Sequence, residues 1–492
     1  MHLNRLWEIR ILFAAVIVSC VTADAQSATK PNIVLCMADD LGWADVGFNG
    51  NTIIRTPHLD AMAKNGLRFT RFYAQAPVCS PTRGSVLTGR HPYRYGIFTA
   101  NAGHMLPQEL TIAELLKASG YVTGHFGKWH VGTLTTTIRE SNRGGPKGAP
   151  HFAPPSEHGF DEYFSTEAKV PTWDPLLRPK NAAGRRTWWN PVADEHEADA
   201  YGTNYWHNGE RVTEKLRGDD SRVIMDRAIP FIRSAVERER PFFTIIWFHA
   251  PHLPVVAGPK YTAMYPGKSD YEQHYYGCIT ALDEQVGRLR AELRTLGVAE
   301  NTMLCFCSDN GPEGEKGKAP GSAGIFRGRK RDLYEGGIRV PGLIEWPAKI
   351  KPGSETDIPC VTSDYLPTIL DILRIKTKRQ SRTIDGMSLL PIIEGEMKAR
   401  SRPIGFQSGN QAVLIDDRYK LVRIGANTRR QGGKKKQAAN KSQVMLFDII
   451  TDPAESKDIA NEHANIVSAM TVQLDAWQQS CRRSLSASDY AK

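Results

Sequence analysis

Pro31-Asn32-Ile33-Val34-Leu35-Cys36-Met37-Ala38-Asp39-Asp40 decides the fold. Its unbroken apolar run is the pattern of a strand buried on both faces, as in a parallel sheet covered by helices. The run ends in two carboxylates. In open α/β sheets, binding sites collect beyond the carboxyl ends of the strands. Adjacent acids at such a place are costly unless a cation neutralises them. A second segment repeats the pattern: Thr302 to Ser308 is an apolar strand that stops at Asp309-Asn310-Gly311. Asp39, Asp40, Asp309 and Asn310 offer only oxygen ligands, a set that suits calcium or magnesium rather than zinc or copper.

Other strands end in basic residues. Tyr121 to His130 reads as a strand, and Lys128 and His130, two residues apart at its end, are expected to point the same way. Such a pair suits anion binding and acid/base work. Phe242 to Phe248 is a buried strand that runs into His249-Ala250-Pro251-His252-Leu253-Pro254, where prolines fix the shape of a loop carrying two histidines. Leu67 to Tyr73 and Leu343 to Trp346 read as further strands. Helical patterns cover Thr111–Ser119, Ser221–Glu237, Gly277–Leu296 and Ser363–Leu373. Lys330 precedes Glu335-Gly336-Gly337, whose glycines permit a tight turn or a close backbone approach.

Between the first two strands and this machinery lies Ala76-Pro77-Val78-Cys79-Ser80-Pro81-Thr82-Arg83-Gly84-Ser85-Val86-Leu87-Thr88-Gly89-Arg90. Pro81 suits the first turn of a helix, so Cys79 is expected at a helix N-terminus, where free N–H groups favour an anion. Arg83 then lies one turn on, on the face of Cys79. The segment offers a nucleophile, a cation and an anion-binding end together.

Cys79-x-Pro81-x-Arg83 with Thr88-Gly89-Arg90 resembles the signature of type I sulfatases of the alkaline phosphatase superfamily. Thr82 stands where Ser is commoner. The resemblance extends through Asp39-Asp40, Gly127-Lys128-Trp129-His130, His249-Ala250-Pro251-His252, Ser308-Asp309-Asn310-Gly311, Lys330 with Glu335-Gly336-Gly337, and the closing Leu446-Phe447-Asp448 and Asp452-Pro453. It implies oxidation of Cys79 to formylglycine by a formylglycine-generating enzyme. It also implies a calcium ion, with magnesium as second choice, held by Asp39, Asp40, Asp309, Asn310 and the modified Cys79. Lys128, His252 and Lys330 would contact the sulfate, Arg83 would steady the aldehyde hydrate, and His130 would serve it as base. On this scheme one hydroxyl of the hydrate attacks sulfur while His252 or Lys330 protonates the leaving alcohol. The second hydroxyl then expels sulfate.

The implied fold is α/β: an alkaline phosphatase-like mixed sheet sandwiched by helices, with a smaller C-terminal α+β domain of antiparallel sheet plus helix. Residues 26–395 are expected to form the catalytic domain and 396–492 the smaller one. In the latter, Ala412–Ile415 and Tyr419–Ile424 read as a hairpin, followed by Met445–Ile450 and a helix to Trp477. Residues 135–215, rich in Gly and Pro, read as an irregular insertion that shapes substrate choice. Trp173, Trp188, Trp189 and Trp206 in it suit either stacking on sugar rings or anchoring the loop.

The chain has 492 residues and a net charge of +10, with a hydrophobic content ordinary for a globular enzyme. Arg5 and Arg10 ahead of Ile11–Val18, then Ala23-Asp24-Ala25, read as an export leader over residues 1–25. This places the protein in the periplasm or outside the cell. Ile17-Val18-Ser19-Cys20 alternatively suits lipid anchoring at Cys20. No later segment has the length and apolarity of a membrane span. Eight cysteines are too few for a disulfide scaffold, and Cys36, Cys305 and Cys307 read as small core residues. The basic stretch Arg423–Lys441 reads as a solvated loop or as an attraction for a polyanion. Export and the lack of a binding module argue against nucleic acid. The expected substrate is therefore a sulfated carbohydrate, with aryl sulfates as simple analogues. Two rivals stand beside it: a phosphomonoester, phosphodiester or phosphonate hydrolase of the same superfamily, and a non-catalytic surface protein that binds sulfated glycans.

Overall fold

The computed structural model describes residues 30–140, 143, 145–182, 187–376, 382–425, 430–431, 434–435 and 442–490. The leader, Cys20 and most of the basic stretch Arg423–Lys441 lie outside the described residues. The largest sheet among them has ten strands. Their order is Ser354–Thr356, Leu67–Phe69, Gly342–Glu345, Thr302–Ser308, Asn32–Ala38, Phe242–Trp247, Val122–Lys128, Glu162–Thr166, Tyr205–His207 and Glu210–Val212. The five from Thr302–Ser308 to Glu162–Thr166 run parallel, and antiparallel strands flank them on both sides.

Alternation along Asn32–Ala38 explains the layering. Ile33, Leu35 and Met37 enter one core with the helices Cys79–Thr88, Ile112–Ala118 and Tyr365–Ile372. Val34, Cys36 and Ala38 enter the opposite core with Pro57–Asn65, Asp220–Glu237 and Asp270–Thr295. Successive residues face opposite sides of a strand, so an unbroken apolar run supplies both cores. Each fully buried Leu, Ile or Phe contributes roughly 1.5–3 kcal/mol to such a core.

Several expected elements shift. Leu67–Tyr73 is two short strands in different sheets: Leu67–Phe69 in the large one, and Phe72–Tyr73 between Arg339–Val340 and Cys360–Val361. The helix expected from Gly277 begins at Asp270, because Ser269 and Glu272 form a capping box that starts it two turns earlier. Residues 135–215 are not wholly irregular. They supply Glu162–Thr166, Tyr205–His207 and Glu210–Val212 to the sheet's far edge. Trp206 and Trp189 are buried there, Trp206 donating to Glu140 Oε1 at 2.8 Å. These two tryptophans anchor the segment.

The small C-terminal domain is a four-stranded antiparallel sheet, Ile404–Ser408, Gln411–Ile415, Tyr419–Ile424 and Gln443–Asp448. Leu414, Leu421 and Leu446 pack on Met470 and Leu474 of the helix Ala464–Leu485. The other face, with Val413, Val422 and Phe447, packs on Tyr73, Leu333, Ile338 and Val361 of the large domain. Among the described residues, no helix is long and apolar enough to cross a membrane.

Candidate active site

The carboxyl ends of four neighbouring parallel strands, with two loops from elsewhere, deliver the expected residues to one place. Asp39 and Asp40 follow Asn32–Ala38, and Asp40 takes a left-handed φ of 66° that turns the chain off the sheet. Asp309 and Asn310 follow the adjacent Thr302–Ser308. Lys128 ends Val122–Lys128, and His249 and His252 follow Phe242–Trp247. Cys79 is the first residue of the helix Cys79–Thr88, as the sequence predicts. Thr82 secures that end: its hydroxyl donates to Ala76 O at 2.9 Å and accepts from Ala76 N at 3.3 Å. These bonds need only the hydroxyl, so Thr serves here as Ser would. Backbone bonds tie the loops together: Arg331 N to Pro77 O at 2.9 Å, and Gly311 N to Gly337 O at 2.9 Å. A Cβ on Gly311 would stand 1.9 Å from Gly336 O, so that approach requires glycine.

Inside, carboxylates and cations pair closely. Lys128 Nζ donates to Asp39 Oδ2 at 2.6 Å, and Cys79 Sγ lies 3.3 Å from Asp39 Oδ1. Lys330 Nζ donates to both oxygens of Asp40, at 2.6 and 2.7 Å. Asn310 Nδ2 donates to Asp40 Oδ1 at 2.7 Å, and His252 Nε2 stands 3.5 Å from Asp40 Oδ2. Arg83 does not reach outward. It donates to Asp309 Oδ2 at 2.6 Å and to Lys128 O at 3.0 Å, with its guanidinium 5.1 Å from the centre of the Trp247 ring.

The charges follow from burial and these partners. Burial pushes the Asp39 carboxyl up, but Lys128, His252, Arg83 and Lys330 together hold it well below the usual carboxylate range. Burial raises Asp40 against Lys330, with the charge of Asp39 adding to the rise. Burial and Asp39 push Asp309 up to about 7 against Arg83. Burial, then Asp309 and Asp39, push the Cys79 thiol well above its ordinary value. The expected nucleophile is therefore not a thiolate: the helix end is outweighed, and the unmodified thiol is a weak nucleophile.

The two histidines of the 249–252 loop separate cleanly. His249 is fully buried, with Nε2 2.7 Å from Thr166 Oγ1 and Nδ1 2.8 Å from Asp220 Oδ2, so both nitrogens are occupied by the scaffold. His252 directs Nδ1 to Leu253 O at 2.7 Å, which leaves Nε2 toward Asp40. His130 departs from expectation. The strand stops at Lys128, and His130 has a left-handed φ of 58°, so strand alternation does not set its direction. Its Nε2 lies 3.1 Å from Asn101 Oδ1, and its buried Nδ1 has no hydrogen-bond partner. Burial, then Lys128 and Arg143, hold the ring's pKa well below the usual histidine value, so it is neutral.

The donor set fits a hard divalent cation. Ligand atoms of Asp39, Asp40, Cys79 and His252 lie within 4.8 Å of one another. Asn310 Oδ1, also in the site, is buried without a hydrogen-bond partner. An unsatisfied buried oxygen costs about 1–3 kcal/mol, which a cation would remove. Both oxygens of Asp309 accept bonds, from Arg83 and from Asp40 N at 3.1 Å.

Residues 31–375 match the family described as Sulfatase. The chain belongs to the sulfatase family. Residues 321–480 also match the description N-sulphoglucosamine sulphohydrolase, C-terminal. The sulfatase is 32% identical to N-acetylgalactosamine-6-sulfatase of Mus musculus over 408 residues, 80% of this chain and 71% of that protein. It is 32% identical to arylsulfatase A of Homo sapiens over 398 residues, 78% and 72% of the two chains. A crystal structure of Ps i-CgsB in complex with k-i-k-neocarrahexaose is similar with a TM-score of 0.74 at 27% identity, covering 92% of this chain and 93% of that one. The sulfatase is thus an enzyme that hydrolyses sulfate esters.

Three neighbours of the sulfatase's site carry no mark in the sequence. Asn101 meets His130. Glu313 lies 3.4 Å from Lys330 Nζ and is held low mainly by Arg331 and Lys330 against its burial. Lys169, just past the strand Glu162–Thr166, interacts electrostatically with Lys128, Lys330, Asp40 and Asp39. A strand assignment for Glu162–Thr166, where Tyr and Phe adjoin Ser and Thr, would have brought Lys169 to the same sheet edge.

Proposed function

We propose that the sulfatase is a calcium- and formylglycine-dependent hydrolase of sulfated carbohydrates. The observation that carries this reading is the placement of Cys79, the first residue of its helix, 3.3 Å from Asp39 in a site of oxygen donors with one unsatisfied member, Asn310 Oδ1. Asp39, Asp40, Asp309, Asn310 and the residue at position 79 would hold the calcium. Bound there, calcium supplies Lewis-acid neutralisation of the sulfate's negative oxygens. Formylglycine at position 79 supplies, as its hydrate, a hydroxyl nucleophile where the unmodified thiol is weak.

The chain's own residues do the rest. Lys128 and Lys330 each give hydrogen bonds to a carboxylate and retain further N–H donors for a sulfate oxygen. Arg83 fixes Asp309 and the end of the Lys128 strand. His252 Nε2 or Lys330 Nζ carries the proton to the leaving alcohol, and His130 takes a proton through the unpartnered Nδ1. Such fixed donors cost no reorganisation as charge develops. The carbohydrate preference is supported by the carrahexaose bound to Ps i-CgsB and by the galactosamine sulfatase relative. The segment 135–215, which leads from the Lys128 strand to the far sheet edge, is the part that would shape that preference.

Peptide mass spectrometry across Cys79, on protein from its native host, tests the reading. An aldehyde in place of the thiol supports it. Unmodified Cys in a host that carries the modifying enzyme would overturn it. Cys79→Ala should abolish sulfate release and leave the fold intact. Side-by-side assay of aryl sulfate and aryl phosphate separates sulfate from phosphate chemistry.

A further inference from the structure

Strand Glu162–Thr166 pairs in parallel with Val122–Lys128, Thr166 opposite Lys128, and the chain continues Glu167-Ala168-Lys169-Val170 past that edge. The segment is pinned on both sides. Thr166 Oγ1 donates to Ala168 O at 2.7 Å, Glu167 accepts from Arg143 Nε at 3.2 Å, and Ala168 and Val170 are buried. Lys169 itself is half-buried. Among the described residues it makes no hydrogen bond and no ion pair.

The site's other cations are all engaged. Lys128 holds Asp39, Lys330 holds Asp40, and Arg83 holds Asp309. Among the described residues Lys169 forms an ion pair with none of these carboxylates, although Asp40 and Asp39 attract its ammonium while Lys128 and Lys330 repel it. Burial, followed by the repulsion of Lys128 and Lys330, lowers its pKa. A partly desolvated cation without an anion is a cost that an anionic ligand removes. Lys128 and Lys330 lie deeper and are almost wholly buried, whereas Lys169 retains exposure at the rim.

We propose that Lys169 is a specificity-determining residue that binds a second anionic group of the substrate, a sulfate or a uronate carboxylate beside the scissile sulfate. This rests on the sulfated-carbohydrate reading above and narrows it to sugars with more than one negative charge.

The test is calorimetric binding to the full chain of three probes: N-acetylgalactosamine 6-sulfate, N-acetylgalactosamine 4,6-disulfate and the unsaturated chondroitin 6-sulfate disaccharide. At least one doubly charged probe should bind the wild type about tenfold more tightly than the singly charged one, the worth of one charge-assisted hydrogen bond. Lys169→Gln should reduce that preference to under about twofold, Lys169→Arg should keep most of it, and added salt should shrink it in the wild type. Three results would each overturn the proposal: no preference in the wild type, a preference that survives Lys169→Gln, or an equal loss for all three probes, which would place Lys169 on the scissile sulfate. Binding needs no turnover. Failure of the formylglycine reading shows separately, in the mass of residue 79 and in the release of sulfate from p-nitrophenyl sulfate.

Discussion

Lys330 Nζ stands within hydrogen-bond distance of both carboxylate oxygens of Asp40, at 2.6 and 2.7 Å, although the two residues come from opposite ends of the large domain's sequence. Both side chains are nearly or fully buried. Lys330→Ala should lower kcat on p-nitrophenyl sulfate by about 100-fold or more, the usual loss of one preorganised donor. Steady-state kinetics check it. A change confined to KM would make Lys330 a binding residue only.

On the proposed calcium dependence, chelation should remove activity and lower the melting temperature together, because it takes away a ligand of the folded state alone and leaves the buried Asn310 Oδ1 without a partner. Readdition of calcium at about 100 times its dissociation constant should restore about 2.7 kcal/mol of stability. Recovery of activity with zinc but not with calcium or magnesium would contradict the donor chemistry. Calorimetry and sulfate release on the same samples give both readouts.

Stability should fall in acid in two stages set by His91 and Asp385. Burial, opposed by Asp385 and helped by Arg94, lowers His91 to about 3. Its neutral form is favoured by folding, so its contribution is complete above the unfolded histidine value of about 6.5 and is lost as pH falls toward 3. Burial pushes Asp385 up, but Arg94, bonded at 2.6 and 2.7 Å, brings it down to about 2. That contribution is present above about 4 and lost as pH falls through 2. Asp385→Asn should cost about 3–5 kcal/mol at pH 7, the usual price of breaking one partner from a buried pair, and should flatten the second stage. Thermal melts from pH 8 to pH 2 measure both.

Lys420 joins the two domains. Its ammonium is fully buried, 3.0 Å from Glu335 Oε1 and 2.9 Å from Glu455 Oε1. Glu335 also accepts from Tyr73 OH at 3.0 Å and lies five residues beyond Lys330. Lys420→Met would leave the buried Glu455 without its cation and Glu335 with only Arg339, 3.3 Å away, and should destabilise the protein by about 3–5 kcal/mol. It should also reduce kcat, because the Glu335 segment supports the Lys330 loop. Full activity in a variant with a lowered melting point would separate the domain contact from the chemistry.

Much of this site is legible in the chain because the relevant signals are local. An apolar run such as Ile33–Ala38 marks a strand buried on both faces, and Asp39, Asp40, Asp309 and Asn310 follow two such runs directly. Cys79, Pro81 and Arg83 define a helix start within five residues. The rest depends on tertiary partners. Nothing before or after Lys169 shows that its charge is unpaired, since that follows only once Asp39, Asp40 and Asp309 are taken by other cations. His130 escapes the alternation rule because the backbone turns left-handed there, and a period-two reading has no means of registering that turn. The strand Glu162–Thr166 is short and lies between Pro/Gly-rich stretches, so its membership of the sheet is set by pairing with Val122–Lys128 rather than by its own pattern.

Cys79 is only 1% exposed, and the strand just before it, Phe72–Tyr73, is held between Arg339–Val340 and Cys360–Val361. The sheet that holds the strand leading to Cys79 is thus complete only once Val361 has been synthesised. On the proposed function, the enzyme that modifies Cys79 would have its access before the chain folds, and would lose it on folding. Whether a given molecule became active would then be a race between two rates, settled once. A faster-folding variant, or a host short of the modifying enzyme, would yield well-folded molecules that no later treatment of the native protein could switch on.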